Sequence, residues 1–177
     1  QSNYVSSAPS LASTLNFDYL QNLSDEFQPD KTELLYLFKL LENNAVKDSL
    51  SSMGYETIAF ATGFPSTEWR DADTFIAPPY EPTTEFETVV LLSSYARIVD
   101  DFGIINLDNI YAERYRERTR LILDSFDELT KIPGPKFVYI HLIVPHTPFA
   151  FDKDGNPVAP DQTNPIASVS WQMAETS

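Results

Sequence analysis

The sequence predicts an α/β protein, a three-layer α/β/α sandwich with a mainly parallel sheet. Three observations carry this. Tyr55–Ala61 is rich enough in β-branched and aromatic residues for a buried strand. Phe137–Val144 is apolar throughout except for His141, so it reads as a central strand covered on both faces. Helical patterns alternate with these runs, the order expected of parallel strands joined by crossovers. The two runs are therefore expected to lie side by side, or nearly so, and in parallel.

Ser7, Pro9 and Ser10 open the first helix, and Pro9 falls in the first turn, where its missing N–H costs nothing. Leu11, Leu15, Tyr19 and Leu23 follow at four-residue spacing as one apolar stripe. Gln28, Pro29 and Asp30 break it. Asp30 with Glu33 resembles a capping box, and Leu34, Leu37, Phe38 and Leu41 carry a second helix that should end near Gly54. After the strand at Tyr55–Ala61, the stretch Gly63–Ala72 reads as loop. Asp73–Ala77 reads as a short strand stopped by Pro78 and Pro79. A helix should start at Thr83 or Thr84, bury Phe86, Val89, Val90, Ile98 and Val99, and end at Gly103. A long helix should span Asp108–Lys131, with Tyr111, Tyr115, Ile122, Phe126 and Leu129 at core spacing. Pro133, Gly134 and Pro135 stop it sharply. Beyond Phe137–Val144, Asp152–Asn156 is a turn. Residues 161–177 read as an extended arm or loop, with room for a short helix near Trp171.

With 177 residues the chain is long enough for one domain with a real core. Its net charge of −14 repels nucleic acid and anionic lipid, so neither is an expected partner; the same charge also serves plain solubility. The absence of cysteine excludes disulfides, thiolate zinc sites and cysteine nucleophiles. Five glycines offer no Gly-rich phosphate cradle. No apolar run approaches the ~20 residues that span a bilayer, so any membrane attachment is expected from segments outside this chain.

Two segments have the makings of a site. In Ser6-Ser7-Ala8-Pro9-Ser10, a hydroxyl at a helix start sits among unpaired N–H groups and the positive end of the helix dipole. That setting suits a nucleophile attacking phosphorus or sulfur, and equally an ordinary serine cap. In Val144-Pro145-His146-Thr147-Pro148, a histidine follows a buried strand, where ligands bind in open α/β sheets. It could contact a substrate oxyanion or simply hold its own loop. His141 reads as a satisfied core histidine. Arg114, Arg116, Arg118 and Arg120, interspersed with Glu113 and Glu117, read as a solvated helix face. Asp152 and Asp154 read as turn chemistry, and Asn22-Leu23-Ser24 is a glycosylation sequon in form only.

Three of these stretches, taken in order, resemble the alkaline-phosphatase and sulfatase superfamily. Ser7-Ala8-Pro9-Ser10-Leu11-Ala12-Ser13 resembles the sulfatase signature, Gly54-Tyr55-Glu56-Thr57 its Gly-Tyr-x-Thr segment, and Pro145-His146-Thr147-Pro148 its Pro-His-x-Pro element. The wider wording over residues 2–160 looks like bacterial membrane-anchored, lipoteichoic-acid-synthase-like proteins. The resemblance implies that the chain is the N-terminal portion of such a catalytic domain, a partial sandwich on the extracytoplasmic face of a bacterial membrane. It implies a metal-dependent hydrolase or transferase of phosphate or sulfate esters. Ser7 would be the nucleophile and a ligand of the divalent metal (Zn, Mn, Mg or Ca), and His146 would contact the substrate oxygens. Leu11 stands where true sulfatases carry arginine, which favours phosphoryl chemistry. The family's acidic metal ligands have no match here, so the chain by itself is expected to be inactive. Open sheet edges could recruit a second copy as a homodimer. The other reading is a non-catalytic extracytoplasmic interaction domain that keeps the fold.

Overall fold

The structure is a computed structural model, and it describes residues 3–23, 34–79, 107–142 and 149–159. The α/β class is observed. Two compact units are present, Gln1–Ile76 with Ile132–His141, and Ala77–Lys131 with Leu142–Ser177.

The first unit is built on a three-stranded parallel sheet. Its strands are β1 (Glu56–Phe60), β2 (Thr74–Ile76) and β3 (Lys136–Tyr139), in the order β2-β1-β3. Register pairs Ala59 with Phe75 on one side and with Tyr139 on the other, and Thr57 with Phe137. Side chains alternate faces along a strand, so Ala59, Phe75, Phe137 and Tyr139 share one face. Against that face pack the apolar sides of α1 (Ser7–Leu15), α2 (Leu20–Leu23) and α3 (Leu34–Glu42), through Ala8, Ala12, Leu15, Leu20, Leu37 and Leu41. Ile58 and Phe60 point to the opposite face and are also fully buried. The strand covered on both faces is therefore β1, not the Phe137–Val144 run. β3 is an edge of the described sheet, and its pairing stops at Tyr139, beside Ala59. The expectation that the two runs are parallel neighbours holds.

The first helix is shorter than its apolar stripe suggests. α1 ends at Leu15, and Phe17 adopts a positive φ of 56°, a conformation that no helix continues through. Tyr19 is left exposed. Asn16 secures this corner: its Nδ2 donates to the carbonyls of Ala12 and Leu40, and its Oδ1 accepts from the Ala45 N–H. The second helical stretch is likewise two helices, α3 and α4 (Ala45–Ser52), divided where buried Asn44 caps the Lys47 N–H. It ends as expected at Gly54, with φ 81°. Where β1 and β2 begin, the Thr57 hydroxyl and N–H both donate to Asp73 Oδ2, at 2.7 and 2.8 Å, and hold that carboxyl below the usual carboxylate range.

In the second unit, α5 (Leu107–Lys131) ends just ahead of Pro133-Gly134-Pro135, as expected. Tyr115, Ile122 and Leu129 are buried, but Phe126 is exposed although it lies at core spacing. Phe151 and Pro157 form an antiparallel bridge around the expected turn, whose Asp152 carboxylate accepts from the Asp154 and Asn156 N–H groups. The arginines of α5 are not merely solvated. Arg116 donates to the Ala150 and Val158 carbonyls, and Arg120 lies over the Phe151 ring at 5.8 Å. The predicted capping box at Asp30 and Glu33, the helix from Thr83 to Gly103 and the arm at 161–177 lie outside the described residues.

Candidate functional site

Ser7 is the first residue of α1, as the sequence predicts, and it is exposed. The segment before it is anchored. The Tyr4 hydroxyl accepts from the Leu20 N–H at 2.8 Å and donates to Gln21 Oε1 at 2.7 Å. Asn3 Nδ2 donates to Ser13 Oγ, which in turn donates to the Asp18 carbonyl. The cap position belongs to Ser6, whose backbone is extended and whose side chain makes no capping bond. Ser7 is therefore not the cap. The first intrahelical bond runs from the Ser10 N–H to the Ser6 carbonyl. Pro9 has no N–H, so Ser7 and Ala8 are the donors ahead of that bond.

The carboxyl end of β1 runs into a short 3-10 turn, Pro65–Thr67, which both α1 and α3 contact. Here the structure gathers polar groups that the sequence presented only as loop. The Thr62 and Thr67 hydroxyls share a hydrogen bond at 3.0 Å. Glu68 is almost fully buried; its Oε1 accepts from the Gly63 N–H, and its Oε2 accepts from Arg70 Nε at 2.7 Å. The Tyr139 hydroxyl, at the end of β3, donates to the Thr67 carbonyl at 2.8 Å. Burial, with the Glu68 charge adding to it, pushes that phenol well above its ordinary value. Trp69 is wholly buried against Phe137 and Tyr139, with ring centroids 6.1 and 5.8 Å away. The one signal in the sequence was the run Thr62-Gly63-Phe64-Pro65-Ser66-Thr67, whose hydroxyls and proline favour a tight turn after a strand.

His141 lies two residues past the end of β3. It is not the satisfied core histidine the sequence suggests. It is half-buried, and its Nδ1 is buried without a hydrogen-bond partner among the described residues. Burial lowers its pKa from the ordinary 6.5 and keeps the ring neutral near pH 7. As pH falls, the unfolded chain therefore takes up this proton before the folded one does. The stability that His141 contributes is complete above about pH 6.5 and is lost as the pH falls through the lowered value. His141→Gln should accordingly flatten the decline of the urea midpoint as the pH falls below about 6.5. A variant with an unchanged profile would mean that His141 titrates as an exposed histidine does.

His146 lies outside the described residues, so the structure places Ser7 but not its expected partner. Among the described residues no three His, Asp or Glu side chains come together as a metal ligand set. No helix among the described residues is long and apolar enough to cross a membrane. No family model, no curated protein and no solved structure matches this chain.

Proposed function

We propose that the chain belongs to a phosphoryl-group hydrolase or transferase in which Ser7 is the nucleophile and His146 contacts the phosphoryl oxygens. One observation carries this reading: Ser7 stands exposed at the head of α1, with the cap position occupied by Ser6 rather than by Ser7. Its hydroxyl is available to a ligand, and the helix dipole and leading N–H groups favour negative charge beside it. Ser7 Oγ attacks phosphorus and loses its proton to solvent. The bond from phosphorus to the ester oxygen breaks, and the departing alkoxide takes up a proton. Water or a second hydroxyl then releases the phosphoryl group from Ser7. The ordered resemblance of the segments around Ser7, Tyr55 and His146 supports phosphate esters as the substrate class. Leu11 in place of arginine supports phosphate over sulfate.

The test is covalent trapping. The chain is incubated with an aryl phosphate and Mg2+ or Mn2+, quenched in acid and digested. The chain by itself, without the acidic ligands that the resemblance implies, is expected to give no adduct; the full-length protein treated in the same way is expected to give a phosphate adduct on the peptide that contains Ser7, absent in Ser7→Ala. Ser7→Ala is expected to keep its fold, since Ser7 is exposed and alanine is a good helix former. If no adduct forms on Ser7 in the folded, metal-supplemented full-length protein, the reading fails, and the non-catalytic interaction domain takes its place.

A further inference from the structure

We infer that Tyr4 is a positioning residue: its hydroxyl, bound across to α2, holds the head of α1 in place and with it the Ser7 hydroxyl. This rests on the reading of Ser7 as a nucleophile, and gives a role to a residue outside the three motifs.

The chain reverses direction at Ser7. Ser13 lies further along α1, at a rise of about 9 Å from Ser7. Asn3 Nδ2 nevertheless donates to Ser13 Oγ at 3.2 Å, so residues 3–6 run back alongside the helix that follows them. Ser7 stands where the two directions meet. Val5 and Ser6, which lead into it, are exposed, and the Ser6 side chain makes no capping bond. A helix start is ordinarily fixed by such a bond. Here the hold comes from further back. The Tyr4 hydroxyl accepts from the Leu20 N–H at 2.8 Å and donates to Gln21 Oε1 at 2.7 Å. The Tyr4 ring packs against the apolar cluster that holds Ala8, Ala12 and Leu20. The corner that Tyr4 grips is itself fixed. Ser13 Oγ donates to the Asp18 carbonyl, and the Asp18 carboxylate accepts from the Tyr19 N–H and from Asn22 Nδ2.

An anchor at Tyr4 suits a nucleophile better than a cap would. A capping side chain occupies an N–H of the first turn, whereas an anchor upstream leaves the leading N–H groups to an anion. Attack on phosphorus needs the hydroxyl aligned with the bond that breaks, and a misplacement of about 1 Å can cost a hundredfold in rate. The Cα atoms of Tyr4 and Ser7 are separated by at most about 11 Å of extended chain, so releasing Tyr4 loosens the reversal directly.

Tyr4→Phe keeps the ring and removes both hydrogen bonds. In the chain itself, amide hydrogen exchange is read at Ser10, whose N–H bonds to the Ser6 carbonyl at the start of α1. It is expected to quicken about tenfold, the opening released by losing hydrogen bonds of this kind, while the later turns of α1 stay protected. In the full-length protein with Mg2+ or Mn2+, adduct formation on Ser7 at saturating aryl phosphate is expected to slow about tenfold, with the half-saturating concentration unchanged. Gln21→Met, which removes the acceptor, should move both readouts the same way by less. Gln21→Glu, which keeps an oxygen there, should match the wild type. Unchanged exchange at Ser10 in Tyr4→Phe would overturn the inference. So would quickened exchange with an unchanged adduct rate, or quickening spread evenly over α1, which is a loss of stability alone. If the wild-type full-length protein forms no adduct, the Ser7 reading fails, and exchange at Ser10 then decides by itself whether Tyr4 holds the head of α1.

Discussion

Replacing Trp69 with alanine is expected to destabilise the first unit by about 3–5 kcal/mol, the range for removing a fully buried tryptophan. Trp69 has no exposed surface and packs against the rings of Phe137 and Tyr139 on β3. It belongs to the same apolar cluster as Leu15 of α1 and Leu37 and Leu41 of α3. It therefore joins helices to sheet, and a cavity there would loosen both. Its indole N–H has no partner among the described residues, and an unsatisfied buried donor itself costs about 1–3 kcal/mol. Trp69→Phe removes that donor together with part of the volume, so its cost should be far smaller than that of alanine. Urea unfolding followed by far-ultraviolet circular dichroism reads both variants. The midpoint should fall steeply for alanine and slightly for phenylalanine, with the slope unchanged. Equal losses for the two would mean that the packing around the indole is not what holds this cluster together.

Features that were legible in the sequence are those set by local pattern. The pairing of β1 with β3 follows from two apolar runs with helical patterns between them, the order expected of parallel neighbours. The end of α5 follows from Pro133-Gly134-Pro135, with Gly134 at φ 83°. What stayed hidden depends on contacts between distant residues. Leu11, Leu15, Tyr19 and Leu23 keep helical spacing across a corner, yet the chain turns at Phe17 because Asn16 finds partners as far away as Leu40 and Ala45. Arg116 and Arg120 look like a charged surface until the segment 150–158 supplies carbonyls and a ring for them to hold. β3 ends at Tyr139, one residue before the position opposite Phe60, the last residue of β1.

The candidate site divides in the same way. Ser7 at the head of a helix was readable from Ser-Ala-Pro-Ser, since proline in the first turn marks the start. The unpartnered nitrogen of His141 was not readable in the sequence. A histidine inside an apolar run is usually satisfied, and only its surroundings in three dimensions reveal the orphaned nitrogen. Glu68 was equally hidden. Nothing in the spacing of a loop glutamate announces that its carboxylate will be enclosed at the end of a strand.

That enclosure makes Arg70 the second substitution with a large expected effect. The Glu68 side chain is 2% exposed, while that of Arg70 is 41% exposed. The guanidinium thus covers a buried charge from the solvent side, and it also lies 5.6 Å from the Phe75 ring. Removing one partner of a wholly buried ion pair costs about 3–5 kcal/mol, because the other charge is stranded. Water reaches Arg70 and would partly screen Glu68 in its absence, so Arg70→Ala is expected to cost about 2 kcal/mol. Glu68→Gln keeps an oxygen for the Gly63 N–H but removes the charge that needs compensation. In that background Arg70→Ala should cost less than about 1 kcal/mol, mainly the lost contact with Phe75. The double-mutant cycle then isolates the charge coupling from the packing. Urea midpoints for the four proteins measure it. Equal costs of Arg70→Ala in the two backgrounds would show that Arg70 acts through its ring contact, and that the buried carboxylate is held by the Gly63 N–H rather than by the ion pair.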